Sequence, residues 1–152
     1  MSLERQVRSK IAGKRDTDAD KQAQEWIEAV LGEKFPAGVP YEDVLRDGVI
    51  LCRLMNTLQP GIIKKFNSTG AQFKMMENIN IFQNAAKKYG VNDLDVFQTV
   101  DLWEKKDIGQ VTTTIFALGR TVSFIVNSKY LMLKCLINLS SITSLYFTLF
   151  NY

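Results

Sequence analysis

The 152-residue sequence contains no histidine, and its only cysteines are Cys52 and Cys135. Without histidine, the chain cannot form a Ser/His/Asp or Cys/His nucleophile pair, and it lacks the commonest protein ligand of zinc and iron. The two cysteines form no CxxC motif, and we interpret them as buried thiols in a reducing compartment. The sequence therefore predicts no catalytic site of these classes, no metal site and no cofactor.

Motifs for phosphate and calcium binding are also missing. The nine glycines are scattered, so none of them belongs to the spaced loop that cradles a phosphate, and the spacing of an EF-hand calcium loop is absent. Neighbouring carboxylates such as Asp93 and Asp95 are interpreted as caps of short helical turns rather than as general acids and bases. The residue inventory thus predicts a binding module and not an enzyme.

Positive charge is concentrated at the two ends of the chain. Residues 1–15 carry a net charge of +4 and residues 121–152 a net charge of +2, whereas residues 16–120 carry −3. A protein that binds nucleic acid typically has a basic stripe across its folded body, so we predict no nucleic-acid partner. No apolar run follows the first charged residues, which is not the pattern of a secretory signal, and we expect a cytoplasmic protein.

Apolar residues recur at the helical period in four long segments, and no alternating pattern indicates a strand. The first helix is predicted to begin with a capping box at Thr17 and Asp20 and to end at Gly32. The last helix is predicted to begin after Asp107, which has the position of an N-cap. The predicted fold is a compact all-α globule with four main helices and short connecting helices.

The second and third helices are predicted over residues 41–58 and 73–89. Gly48 lies inside the second predicted helix, where a glycine costs about 1 kcal/mol relative to alanine. Close packing of this backbone against a neighbouring element would explain the glycine.

Five segments carry ordered motifs along the chain: 23–26 (AQEW), 47–56 (DGVILCRLMN), 73–80 (FKMMENIN) with Phe82, 97–107 (FQTVDLWEKKD) and 114–120 (TIFALGR). Together they resemble a calponin homology domain, and the closest resemblance is to the single-domain calponin/transgelin group, in particular its arthropod muscle-specific type. The resemblance extends over residues 1–120.

This resemblance implies an all-helical fold, no catalysis, and a cytoskeletal protein that binds filamentous actin and organises filaments, especially in muscle. The alternative is a signalling or scaffold adaptor that uses the lone helical domain without binding filaments. The sequence does not indicate which oligomeric state the protein has. Most of the matching residues are expected to be structural, and the predicted core comprises Trp26, Gly48, Leu51, Leu54, Ile79, Phe82, Leu102 and Trp103.

Three pairs of lysines are the candidate actin contacts, because a basic surface complements the acidic surface of a filament. Lys105 and Lys106 come first, since they belong to a segment that resembles the family. The other two pairs are Lys64 with Lys65 and Lys87 with Lys88. Each pair is also compatible with an ordinary solvated surface.

The sequence departs from the family after Arg120. Calponin and transgelin types continue with a polar linker and a short repeat, but residues 121–152 contain no Asp, Glu, Gly or Pro, and 19 of these 32 residues are hydrophobic. We interpret residues 122–152 as translated intron or a mis-predicted gene end. A membrane anchor over the uncharged residues 135–152 is the competing interpretation. The predicted organisation is a basic arm (1–16), a calponin homology domain (17–121) and an atypical tail (122–152).

Overall fold

The computed structural model describes the backbone of residues 15–136 and the side chains of residues 15–129. Within this part of the chain there are helices and no strand, which confirms the all-α prediction. The four main helices are α1 (Thr17–Leu31), α3 (Val49–Leu58), α4 (Gln72–Tyr89) and α6 (Ile108–Leu136). The short helices are α2 (Tyr41–Leu45), a 3₁₀ turn (Asp93–Asp95) and α5 (Thr99–Trp103).

A boundary between Thr121 and Val122 divides the chain into two units, and the fold described below belongs to the first. In the described part of the chain, no helix has both the length and the apolar character that crossing a bilayer requires. Most of the segment proposed as a membrane anchor, residues 137–152, lies outside the described residues.

Helix α1 begins one residue earlier than the sequence pattern indicates. The N-cap is Asp16, whose carboxylate accepts hydrogen bonds from the backbone N–H groups of Asp18 (3.0 Å) and Ala19 (3.2 Å). The prediction that Thr17 caps the helix is therefore wrong. Asp16 has an extended backbone and can turn its carboxylate onto the free N–H groups, whereas Thr17 is already helical. The predicted end at Gly32 is confirmed, with a left-handed φ of 71°.

The second predicted helix is two helices, because the chain turns at Gly48. Gly48 has a left-handed backbone with a φ of 71° and separates α2 from α3. The prediction of a glycine within a continuous helix is therefore wrong. A Cβ atom on Gly48 would lie 2.7 Å from the Cβ of Asn78 and 3.0 Å from the backbone nitrogen of Ile79. Glycine is required here for its backbone conformation and for the close approach of α4.

The core lies among α1, α3, α4 and α6 and contains most of the predicted structural residues. Trp26 and Trp103 are only partly buried and pack at the edge of the core, whereas the sequence pattern predicts that Trp26 is buried. An indole is too large for complete burial at many positions that smaller apolar side chains fill. The predicted side chains that are fully buried are Leu51, Leu54, Ile79, Phe82 and Leu102.

Buried polar groups attach the segment between α3 and α4 to the core. The side chain of Asn78 accepts a hydrogen bond from the backbone N–H of Asn67 (2.8 Å) and donates to the carbonyls of Asn67 (2.7 Å) and Asp47 (2.9 Å). The thiol of Cys52 is buried and donates to the carbonyl of Asn78 at 3.4 Å. Burial raises the pKa of this thiol to about 12, so Cys52 stays protonated at neutral pH. The side chain of Cys135 lies outside the described residues.

Candidate functional site

All six candidate lysines are exposed, and they lie on three different segments. Lys64 and Lys65 precede α4, Lys87 and Lys88 occupy its last turn, and Lys105 and Lys106 connect α5 to α6. Carboxylates accompany three of them. The Lys87 ammonium lies 3.7 Å from Asp93, that of Lys105 lies 2.6 Å from Asp43, and that of Lys106 lies 2.7 Å from Glu104.

The segment that carries Lys105 and Lys106 is a short turn fixed at both ends by carboxylates. The side chain of Asp101 accepts a hydrogen bond from the backbone N–H of Gln98 at the start of α5 (2.8 Å). The side chain of Asp107 accepts one from the backbone N–H of Gln110 in the first turn of α6 (3.0 Å), as an N-cap does. Between these two anchors, Lys105 has a φ of 53°.

A cleft of about 590 Å³ adjoins the two lysines. Its walls come from the start of α1, from α2 and from the first turns of α6, and they include Arg15, Asp20, Glu42 and Thr112. The guanidinium of Arg15 donates to both oxygens of Glu42 (3.1 and 2.7 Å) and to Asp20 (2.5 Å). The hydroxyl of Thr112 donates to the other oxygen of Asp20, which is buried. The principal ionic groups of the cleft are thus already joined to one another.

These contacts change the acidity of the groups in the cleft. The hydrogen bond from Arg15 holds the pKa of the Glu42 carboxyl below its usual value, despite partial desolvation. The same hydrogen bond to Glu42 raises the pKa of Arg15, which stays charged at neutral pH. Burial raises the pKa of Tyr41, which stays a neutral phenol near the Thr112 hydroxyl at 3.5 Å. The contacts of Arg15, Glu42 and Tyr41 thus stabilise the charge state that each of these groups has at neutral pH.

Asp43 lines a second, shallow groove of about 240 Å³ together with Arg46 and Trp103. The guanidinium carbon of Arg46 is 4.6 Å from the centroid of the Trp103 ring, and its Nε donates to the carbonyl of Trp103 at 3.1 Å. This cation–π contact fixes the end of α5 to the end of α2, next to the Asp43–Lys105 ion pair. The sequence segments that resemble the family contain Trp103 but not Arg46, so this contact was not predicted.

No group of three or more side chains of Cys, Asp and Glu is placed to hold a metal ion in the portion of the chain for which the structure is described. The candidate site is therefore a charged protein surface beside a cleft whose ionic groups are largely paired. Its ammonium groups stay exposed even where they pair with a carboxylate, and they are suited to contacts with carboxylates of another macromolecule.

Comparison with known proteins identifies the family of this domain. Residues 17–124 match the calponin homology (CH) domain family. Muscle-specific protein 20 of Drosophila melanogaster is 68% identical over 120 residues, which are 79% of this chain and 65% of that protein. Myophilin of Echinococcus granulosus is 57% identical over 120 residues, which are 78% of this chain and 63% of that protein. The chain thus spans slightly less than two thirds of the length of these two relatives.

Solved structures agree with the sequence comparison. The calponin homology domain of Rng2 from Schizosaccharomyces pombe superposes with a TM-score of 0.62 at 33% sequence identity, over 70% of this chain and 67% of that one. The calponin homology domain of an IQGAP protein from the same organism gives a TM-score of 0.61 at 33% identity, with the same coverage. The resemblance to single-domain calponin/transgelin proteins of the arthropod muscle-specific type is confirmed, and the chain belongs to the calponin homology domain family.

Proposed function

We propose that this protein is an actin-associated cytoskeletal protein that binds actin filaments and organises them in muscle. It acts in the cytoplasm by binding and not by catalysis. The observation that carries the proposal is membership of the calponin homology family together with 68% identity to a protein named for its specificity to muscle. The chain spans less than two thirds of that relative's length, so its affinity for filaments has to be measured on this chain itself.

The surface that we assign to the filament contains Lys105 and Lys106, with the pairs at Lys64/Lys65 and Lys87/Lys88 as further contacts. All six side chains are exposed, and each pair is a small basic patch on a body whose residues 16–120 carry a net charge of −3. A filament surface rich in carboxylates would attract them over about a Debye length, roughly 8 Å at physiological ionic strength. We propose a contact that depends on charge and that weakens as salt rises.

Co-sedimentation with filamentous actin at two salt concentrations tests this function. The protein is expected to enter the pellet with filaments at low salt, to remain in the supernatant without them, and to bind less at higher salt. Absence from the pellet at low salt would contradict the proposal and favour the adaptor role. Binding that is insensitive to salt would contradict the charged contact while leaving filament binding in place.

We also propose that residues 17–121 form the functional domain and that residues 122–152 lie outside it. The family match ends at residue 124, and the buried core that the structure describes ends at Leu118. Sequencing of RNA across the codons of residues 120–123 tests the intron interpretation. A dominant transcript that reads straight through to Tyr152 would contradict it.

A further inference from the structure

Lys105 has a backbone conformation that lysine rarely adopts. Among the residues that the structure describes, it is the non-glycine residue with a positive φ, 53°, whereas Gly32 and Gly48 show the usual choice at such positions. A side chain in the left-handed region brings its Cβ too close to the backbone, and the conformation is therefore unfavourable for lysine. The presence of lysine at this position must therefore be explained by a property of its side chain.

The turn requires the conformation but does not require lysine. The backbone N–H of Lys105 donates to the carbonyl of Leu102 (3.2 Å), and that of Asp107 donates to the carbonyl of Asp101 (3.2 Å). These hydrogen bonds reverse the chain between α5 and α6, and they involve only backbone groups. Glycine would form the same turn without the steric cost.

The ion pair with Asp43 does not explain the lysine either. The side chains of Lys105 and Asp43 are 40% and 34% exposed, and a pair that is this accessible to solvent contributes less to folding than a left-handed lysine costs. The pair has a geometric consequence instead. It joins the turn to α2 and places the ammonium nitrogen 2.6 Å from a carboxylate oxygen of Asp43, while the side chain stays 40% exposed and can contact another partner.

Lys106 differs from Lys105 in this respect. Its partner, Glu104, is two residues away in the same turn, and both side chains are about half exposed, at 53% and 51%. A pair of this kind within one turn does not fix the ammonium against a second element. Of the two lysines, Lys105 is therefore the one whose charge is presented in a defined place, and a fixed side chain loses less conformational entropy on binding.

We propose that Lys105 is the principal residue by which this domain recognises a carboxylate on its protein partner, and that Asp43 is its positioning residue. The proposal rests on the proposed function, in which the partner is the actin filament, and it deepens that function by assigning its main contact to one side chain. The left-handed backbone of Lys105 lowers the stability of the fold, and the lysine occupies this position because it binds the partner. Strained backbone at functional sites often has this origin.

The test compares stability and filament affinity in the full chain. Lys105→Gly is expected to weaken co-sedimentation about threefold to tenfold, the scale of one charged contact, while the midpoint of thermal unfolding stays within about 2 °C of the parent or rises. Lys105→Arg, which keeps the charge, is expected to bind within about twofold of the parent. Lys21→Ala removes an equal charge from an exposed position on α1 and is the matched control, with unchanged binding expected.

A second set of variants tests Asp43. If Asp43 acts by positioning Lys105, Asp43→Asn weakens binding about twofold in the parent and has no effect in the Lys105→Gly background. Stronger binding of Asp43→Asn than of the parent would mean that Asp43 competes with the filament, and this would overturn the positioning role.

The outcomes separate this inference from the function on which it rests. If the parent does not pellet with filaments, the proposed function fails and the role of Lys105 fails with it. If the parent pellets and Lys105→Gly pellets equally, the function stands and the inference is overturned. A large fall in the unfolding temperature of Lys105→Gly would also overturn it, because the lysine would then be explained by stability.

Discussion

Arg15 and Glu42 are joined by two hydrogen bonds, although they are separated by 27 positions in the sequence. The guanidinium also contacts the buried carboxylate of Asp20, so a single side chain connects the approach to α1 with the first turn of α2. Such a two-pronged contact is geometrically specific and stronger than a single ion pair. It also closes one side of the cleft beside Lys105 and Lys106.

Arg15→Ala is expected to lower the free energy of unfolding by about 1–3 kcal/mol, because it leaves two carboxylates without their cation, one of them buried. Urea denaturation at neutral pH measures the change. Lys21 has the same charge and is exposed on α1, so Lys21→Ala is the control, for which we expect a change within about 0.5 kcal/mol. Equal effects of the two substitutions would mean that net charge, and not the Arg15 contacts, determines the result.

Glu28 makes the stability of the domain depend on pH. Its pKa is lowered from the usual 4.5 to about 2 by hydrogen bonds from Lys34 (2.9 Å), the backbone of Phe35 (2.8 Å) and Gln24 (3.0 Å). Because the folded pKa is depressed, the contribution of Glu28 is fully present above pH 4.5 and is lost as the pH falls from about 4.5 towards 2.

The substitution Glu28→Gln removes this titrating group and is expected to flatten the pH dependence of stability between about pH 4.5 and 3. Measurements of urea denaturation at several pH values would detect the change. Glu25, which is exposed on the same helix, provides the control through Glu25→Gln. An unchanged slope in Glu28→Gln would contradict the role assigned to this carboxylate.

Gly48→Ala is expected to cost about 2–5 kcal/mol, since the new methyl group would lie 2.7 Å from the Cβ of Asn78 in a left-handed backbone. Gly61 is the matched control. It has a φ of 81°, but a Cβ there would meet nothing within 4 Å, so Gly61→Ala is expected to cost only the conformational part, about 1–2 kcal/mol. Thermal or urea denaturation gives both values. Equal costs would contradict the close approach of α4.

The buried core could be predicted from the sequence because the residues that a helix buries recur at the helical period. Leu51, Ile79 and Phe82 recur on the faces that helices turn towards one another, and each is fully buried. The same periodicity failed at Gly48, since apolar spacing continued across a position where the backbone changes direction. The capping motif failed at Thr17 for a different reason: Asp16 and Thr17 are both good N-cap residues, and the motif does not decide between them.

The long-range contacts of the candidate site could not be predicted in this way. The pair formed by Lys105 and Asp43 and the stacking of Arg46 on Trp103 join elements that are distant in the sequence. Neither contact has a local spacing that periodicity would detect. The resemblance to the family directed attention to the segment of Lys105, but it gave no indication of the left-handed backbone there.

Deletion of residues 128–152 is expected to leave the free energy of unfolding of the domain unchanged within about 1 kcal/mol. The reason is that the buried side chains that the structure describes lie between Asp20 and Leu118. Urea denaturation of the full chain and of the shortened chain makes the comparison. A loss of several kcal/mol would mean that the tail contributes to the core.

Co-sedimentation of the charge-reversed protein with filamentous actin tests the central claim most directly. The double substitution Lys105→Glu with Lys106→Glu should abolish most of the pelleting at low salt while the helical circular dichroism signal stays unchanged. Lys21→Glu with Lys74→Glu reverses the same number of exposed charges elsewhere and should pellet nearly as the parent does. Equal pelleting of the parent and the Lys105/Lys106 variant, with native helicity in both, would contradict the assignment of this turn as the filament contact.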